Sequence, residues 1–155
     1  MKRISYLALS LLLFVPLACQ KDAPVDTSGV DPVAQSILNA IARGDARSVY
    51  DAYFTPEYKS DMTPKEWNDL VAGYRELLGN VTSVKRLRGS AKWVGGQFID
   101  GEVAYNVTWE KGVGEMTLDV TKENDWKVRQ VRIASPQIDE RVDKLETELT
   151  TDPAE

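Results

Sequence analysis

Acid–base chemistry in this sequence has to rest on carboxylates and tyrosines, because the chain contains no histidine. Histidine is the commonest general base in enzymes and a frequent metal ligand. An acid beside a buried tyrosine can polarise a carbonyl group, as a lyase or an isomerase requires. Five acids are candidates to face Tyr50, Tyr53 or Tyr105 in this way: Asp51, Glu102, Glu110, Glu115 and Asp119. Each also occupies a position where a solvent-exposed charge is expected on an amphipathic element, and we favour that interpretation.

Other kinds of catalytic chemistry find still fewer suitable residues. The sequence has a single cysteine, Cys19, and no serine in the motif of a nucleophile elbow. It also lacks the cysteine and histidine ligands of a zinc site. Gly95-Gly96 and the glycines of residues 112–114 are too short a pattern for a phosphate-binding loop and predict turns. We therefore predict no catalytic residue, no metal site and no cofactor.

The overall charge argues against nucleic acid as a partner. The formal net charge is -5 and the sequence pI is about 4.9, so no chain-wide positive field attracts phosphate backbones. Basic residues do cluster at Lys85, Arg86 and Arg88, but this segment alternates like a strand. We interpret the cluster as a solvated strand face, because a nucleic-acid groove needs a broader basic patch with stacking aromatics.

The amino terminus has the pattern of an export signal. Lys2 and Arg3 precede an apolar run over residues 4–15, which is too short to remain as a membrane span. The run ends in Pro16-Leu17-Ala18-Cys19, which resembles the lipobox of bacterial lipoproteins, although Pro16 stands where that pattern prefers leucine. The resemblance implies that residues 1–18 are removed and that Cys19 carries the lipid. The alternative is an ordinary secretory leader cleaved after Ala18, which leaves an unpaired thiol in an oxidising compartment.

The residues after Cys19 predict where the protein is held and how. Gln20 follows the cysteine, and in the sorting rule of the lipoproteins that it resembles, a residue other than aspartate implies the outer membrane, facing the periplasm. Residues 19–30 are mostly polar, with few apolar residues among them, so we expect a flexible tether. The membrane, reached through the lipid, is therefore a predicted partner.

Residues 31–134 have the pattern of one α+β domain. Asp31 and Pro32 open a first helix that ends at Gly44, and a second helix follows between Asp45 and Pro56. Thr63, Pro64 and Glu66 form a capping-box pattern for a third helix that ends at Gly79. The apolar period then changes to two, which predicts an antiparallel meander. The predicted strands are residues 81–88, 91–94, 102–110, 115–121 and 126–133, and turns or bulges are predicted at 95–96 and 100–101. A change of phase between Val128 and Val131 predicts a bulge in the last strand.

The carboxyl-terminal residues predict a separate amphipathic helix over residues 135–150. Ser135 caps it, Pro136 fits its first turn, and one narrow apolar stripe runs along it: Ile138, Val142, Leu145 and Leu149. A helix this short is marginal alone, so we expect the stripe to lie on its own domain, on a second copy in a homodimer, or on a partner. We expect residues 151–155 to form a disordered tail.

The order of elements and several local motifs resemble the nuclear transport factor 2-like, cystatin-like superfamily, and in particular secreted subfamilies of unknown function. The motifs are Leu77 to Ser83 after the Trp67 helix, Asp100-Gly101 before a strand rich in tyrosine and tryptophan, and Asp125 to Val128. The resemblance implies a cone-like curved sheet with N-terminal helices packed on it and a pocket at its wide end. It implies no reaction, because that superfamily includes both enzymes and binding modules.

Within such a cone, four aromatic residues are the candidate pocket lining: Tyr53, Trp67, Tyr105 and Trp109. We accordingly expect a non-enzymatic protein that binds a small apolar ligand or an envelope protein. Two alternatives remain open from the sequence. One is a lyase or isomerase that uses a carboxylate and a tyrosine, and the other is an inhibitor or immunity-type protein that blocks a partner's cleft.

Overall fold

The computed structural model describes the backbone of residues 24–151 and the side chains of residues 24–146. The predicted signal peptide, Cys19 and residues 152–155 lie outside the described residues. The elements follow in this order: a 3-10 turn (Ser28–Val30), α1 (Asp31–Arg43), α2 (Ala46–Tyr53), α3 (Pro56–Asp61), α4 (Pro64–Leu78), β1 (Val81–Val94), β2 (Phe98–Trp109), β3 (Gly112–Lys122), β4 (Trp126–Ala134) and α5 (Pro136–Thr151). This order confirms the α+β class.

The helices begin and end where local chemistry favours it. Gly44 ends α1 with a φ of 72°, a left-handed conformation that costs glycine little. Thr63 and Glu66 form the capping box at the start of α4, each side chain accepting a hydrogen bond from the backbone N–H of the other. These predicted boundaries are confirmed.

One helix, α3, was not expected from the sequence. We expected Pro56 only to end α2, whereas it also occupies the first turn of α3. The Thr55 hydroxyl accepts a hydrogen bond from the backbone N–H of Tyr58, so Thr55 is the N-cap of this short helix. The Thr55 N–H in turn donates to the carbonyl of Val128, at 3.0 Å, which joins this junction to β4.

The four strands form one antiparallel sheet in the order β1-β2-β3-β4. β1 is a single strand through residue 94, and Asp100 and Gly101 lie inside β2, so the expected interruptions there are wrong. Gly101 is needed because a Cβ at that position would lie 2.4 Å from the carbonyl oxygen of Ser90 on β1. The bulge predicted in the last strand is confirmed: the β3–β4 register shifts so that Arg129 is the extra residue between Val128 and Gln130.

One face of the sheet and the inner faces of α1, α2 and α4 enclose the hydrophobic core. Val103, Val107, Met116 and Leu118 are fully buried on the sheet side, and Ile37 and Leu38 of α1 are fully buried against them. Phe54 lies in an aromatic cluster, with ring centroids 5.6 Å from Tyr50, 4.7 Å from Tyr58 and 4.8 Å from Trp67. These edge-on and tilted contacts hold the helices to each other.

The end of the expected tether is packed on the domain. Thr27 and Val30 are buried, and Val25 packs against the core. Gly29 lies so close to Trp126 that an added Cβ would be 2.6 Å from its indole nitrogen. The expectation of a flexible segment up to residue 30 is therefore wrong for residues 27–30, because Val30 supplies apolar surface that the polar composition of its neighbours obscured.

Along the chain from residue 24 to residue 151, no helix combines the length and the apolar composition that a membrane crossing requires.

Candidate functional site

Three of the four predicted pocket residues are packed in the core. Trp67, Tyr105 and Trp109 are at most 3% exposed, whereas Tyr53 is half-buried at the edge of the core. The Trp67 indole N–H donates to the carbonyl oxygen of Ala46 at 3.0 Å, which ties α4 to the start of α2. A ligand could reach these three rings only by displacing core side chains.

Tyr105 takes part in a polar cluster where the sheet meets the beginning of α1. Its hydroxyl donates to Oδ1 of Asp31 at 2.7 Å, and Nη1 of Arg86 donates to the same oxygen at 2.8 Å. Arg86 also donates to the carbonyl oxygen and the hydroxyl of Thr27. Burial, and next the hydrogen bond to Asp31, raise the pKa of Tyr105 well above its ordinary value of 10.0. The cluster therefore holds a neutral tyrosine and fixes the 3-10 turn to β1 and β2.

Asp31 lies beside a buried tyrosine, but it was not among the five acids considered from the sequence. It is 74 residues from Tyr105, and its position predicted only the N-cap of α1. That prediction is wrong, because Val30 is the N-cap and Asp31 is the first residue inside the helix. Local periodicity carries no information about a contact at this separation. Because Asp31 already accepts from Arg86 and Tyr105, its Oδ1 is occupied by two donors and is a poor general base.

The five acids considered from the sequence have other partners. Asp51 pairs with Arg47 on α2 at 2.8 Å, and Glu110 accepts from both nitrogens of Asn80 at 2.9 and 3.0 Å. Those hydrogen bonds to Asn80 lower the pKa of Glu110 below its ordinary value. The remaining three lie on the sheet face away from the helices: Glu102, Glu115 and Asp119.

That outer face carries a ladder of ion pairs across the four strands. Arg132 of β4 lies 3.0 Å from both Glu102 of β2 and Asp119 of β3. Arg88 of β1 lies 2.7 Å from Glu115, and its hydrogen bond holds the pKa of Glu115 below the ordinary value. The arginine that the β4 bulge adds, Arg129, lies 2.6 Å from Asp100. The acids are thus neutralised by arginines on neighbouring strands, as the solvated-face interpretation expects.

Of the four predicted pocket residues, Tyr53 borders an open depression between α1 and α2. This α1–α2 groove has a volume of about 320 Å³ and is lined by residues of both helices: Ser36, Asn39, Ala40, Arg43, Asp45, Ser48, Val49, Ala52 and Tyr53. The Tyr53 hydroxyl lies 3.4 Å from the Ser36 hydroxyl, so the aromatic ring and the polar groups share one wall. Among the described residues, Arg43 has no ion-pair partner.

The lining of the groove combines a cation, an acid, hydroxyls, an amide and a tyrosine ring. Such a set can accept and donate hydrogen bonds at several points and cover a short polar chain. It is poorly suited to a purely apolar ligand, since the polar groups would lose their hydration without replacement.

Trp109 occupies the other end of the core, near the start of α5. Its indole nitrogen is buried and has no hydrogen-bond partner within the described part of the chain. Gly114 lies against the ring, because an added Cβ there would be 3.1 Å from Trp109 Cζ3 and 2.9 Å from Ser135 Cβ. Trp109 therefore supports the packing of α5 on the sheet.

Among the side chains of residues 24–146, no group of three or more histidine, cysteine, aspartate or glutamate residues is arranged to hold a metal ion. The prediction that the protein has no metal and no cofactor stays a prediction.

The fold and these contacts define a small α+β domain of a helical layer on a four-stranded meander. The sequence matches no protein-family model and no curated protein.

Proposed function

We propose that this chain is a lipid-anchored protein of the bacterial cell envelope that binds a protein partner and catalyses no reaction. The observation that carries the binding proposal is the α1–α2 groove, where Tyr53 and the unpaired Arg43 share an open, polar wall. The anchor proposal rests on the lipobox resemblance at Cys19 and on Gln20, which favours the outer membrane facing the periplasm.

The contents of the domain interior favour a partner on the surface over a small apolar ligand inside. A ligand inside a cone-like fold needs access to the rings of Trp67, Tyr105 and Trp109. All three rings are buried in the hydrophobic core. We retain the nuclear transport factor 2-like cone as a proposal for the curvature of the sheet. In this proposal the protein's own side chains fill the interior of the cone.

The polar cluster at Tyr105 supports a non-enzymatic role. A carboxylate and tyrosine pair works on a substrate only when a donor or acceptor of the pair is free to face it. Tyr105 is buried and donates its one hydroxyl proton to Asp31, and Arg86 donates to the same carboxylate oxygen, so the tyrosine of this pair is not free to face a substrate. We infer that the cluster stabilises the fold and does not act on a substrate.

The groove suits an extended segment of a partner protein. Arg43 offers a charge for a carboxylate, and the Tyr53 ring offers apolar area. The hydroxyls of Ser36 and Ser48 donate to Pro32 and Asp45, so they offer acceptor oxygens to a partner. A concave groove favours this form of binding over an inhibitor or immunity-type role, in which this protein enters a partner's cleft.

Site-specific photo-crosslinking in cells tests the groove. A photo-reactive phenylalanine analogue at position 53 should give a discrete adduct with one envelope protein, whereas the same analogue at the exposed Ala72 should not. Arg43→Glu should weaken the adduct about tenfold or more, because it reverses a charge that contacts the partner. Lys65→Glu, with the same charge change on α4, is the matched control. Equal adducts at both positions, or none at position 53, would contradict the proposal.

A further inference from the structure

The edge strand β1 is the most basic element of an acidic protein. Residues 81–97 contain four basic side chains and no acidic one, although the whole chain has a formal net charge of -5. Arg86 and Arg88 have acidic partners, whereas Lys85 and Lys92 form no ion pair with any described residue. Both lysines are exposed. Opposite Lys92 on β2 is Asp100, which is itself paired with Arg129, and opposite Lys85 is the neutral Asn106.

The same strand exposes large apolar side chains. Trp93 is 48% exposed and Leu87 is 47% exposed, whereas the other three tryptophans are buried. Leu87 is the extra residue of a bulge between Arg86 and Arg88. The strand has pairing on one side alone, because β1 is at the edge of the sheet. Leu87 lies between Arg86 and Arg88, and Trp93 follows Lys92 directly, so large apolar and basic side chains flank the same exposed strand edge. This is the composition of a surface that meets lipid headgroups.

The strand is also close to the proposed anchor along the chain. Thr27, which accepts hydrogen bonds from Arg86, comes eight residues after Cys19. Eight residues span at most about 28 Å. A Cβ on Gly89 of β1 would lie 2.5 Å from the Thr27 hydroxyl, so the chain enters the domain directly against this strand. An acyl group on Cys19 would therefore hold β1 within about 28 Å of the bilayer.

We propose that β1 and the turn of residues 95–97 lie on an anionic phospholipid surface, with the Trp93 ring among the headgroups and Lys85 and Lys92 beside their phosphates. This inference rests on the proposed lipid anchor. The anchor supplies most of the affinity, and the basic strand sets the orientation of the domain. With β1 against the membrane, the domain has one fixed face towards the bilayer.

The test uses the natively acylated full-length protein in vesicles that contain brominated phosphatidylcholine, which quenches tryptophan at the interface. Trp93 should be quenched at least about twofold more in vesicles with about 30% phosphatidylglycerol than in neutral vesicles. Trp93→Phe should remove the quenched component, because the other three tryptophans are buried.

Charge variants show whether β1 is the surface concerned. Lys85→Glu with Lys92→Glu should abolish the difference between anionic and neutral vesicles. Lys65→Glu with Lys144→Glu, which makes the same change of net charge on α4 and α5, should leave it intact. Equal quenching in both kinds of vesicle, or equal effects of the two double variants, would overturn the proposal.

Flotation of the same vesicles in about 1 M salt separates this inference from the anchor proposal, because salt screens the lysines and leaves an acyl anchor in place. Protein that floats in salt but shows no quenching difference at low salt contradicts the β1 surface alone. Protein that does not float contradicts the anchor and the β1 surface with it.

Discussion

The hydroxyl of Tyr105 donates a hydrogen bond of 2.7 Å to Oδ1 of Asp31 and thereby connects the middle of β2 to the first residue of α1. Arg86 of β1 reaches the same oxygen and continues to Thr27. A single cluster thus joins two strands, the first long helix and the segment that leads to the amino terminus. Its removal should affect stability in a way that depends on pH.

Tyr105→Phe should make the protein less sensitive to alkali. The pKa of Tyr105 is raised in the folded protein, so the unfolded chain loses this proton first as the pH rises above about 10, and the free energy of unfolding falls from there upward. Phenylalanine has no proton to lose, so the decline between about pH 9 and pH 11 should become shallower. Urea denaturation of the variant and the wild type at both pH values measures this decline in the free energy of unfolding.

The variant should not abolish the decline, because burial also raises the pKa of Tyr58 and Tyr74. At neutral pH, Tyr105→Phe should cost about 1 kcal/mol for the lost hydrogen bond. Identical slopes for the variant and the wild type would mean that Tyr105 is not the neutral, buried phenol described above.

Gly29→Ala should destabilise the protein, although Gly29 lies in a segment whose composition is that of a linker. The added methyl group would lie 2.6 Å from the buried indole of Trp126, so the turn or the ring has to move, at a cost of about 1–3 kcal/mol. Gly73→Ala is the matched control. Position 73 is inside α4 with nothing within 4 Å, so alanine should stabilise the helix by about 0.5–1 kcal/mol. Equal melting temperatures for the two variants would argue that residues 27–30 do not dock.

Features set by neighbours in the sequence were predictable, as α4 and β4 show. Thr63 and Glu66 are three residues apart, so the capping box can be read directly from the sequence. The phase change between Val128 and Val131 likewise indicated the bulge at Arg129. Helix α3 was missed because six residues are too few for an apolar period, even though Thr55-Pro56 is itself a helix start signal.

Features set by distant contacts were not predictable. The glycine at position 101 has the pattern of a turn, yet it lies in β2 because Ser90 and Ala91 on β1 leave no room for a side chain. For the candidate site, the sequence correctly placed Trp67, Tyr105 and Trp109 on inward faces, but whether an inward ring borders a pocket depends on how completely the other elements fill the core. The pairing of Tyr105 with Asp31 depends on the docking of α1 and has no local signal.

Of the three described positions in the apolar stripe of α5, the first should contribute most to stability. Ile138 packs against the core, whereas Val142 and Leu145 are 46% and 42% exposed. Ile138→Asp should therefore lower the free energy of unfolding by about 2 kcal/mol, and Val142→Asp with Leu145→Asp by less than about 0.5 kcal/mol. If the stripe joins two copies, the double variant should also shift sedimentation from dimer to monomer. Equal stability losses would show that α5 docks along its full length.

Removal of metal ions should leave the protein unchanged. Dialysis against a chelator should shift neither the melting temperature nor the crosslink at position 53, because no group of ligands among the side chains of residues 24–146 is arranged for a metal. Elemental analysis of the undialysed protein provides the check. Stoichiometric metal that is lost together with folding would contradict this prediction.

The most direct test of the central claim is the location of the Cys19→Ser variant. An acyl anchor buries many methylene groups at about 0.8 kcal/mol each, and serine cannot carry it through a thioether. After cell fractionation and a wash with about 1 M salt, which screens the lysines of β1, the wild type should sediment with membranes and the variant should remain in the supernatant. A Cys19→Ser protein that still sediments with membranes after the wash would contradict the lipid anchor and the account built on it.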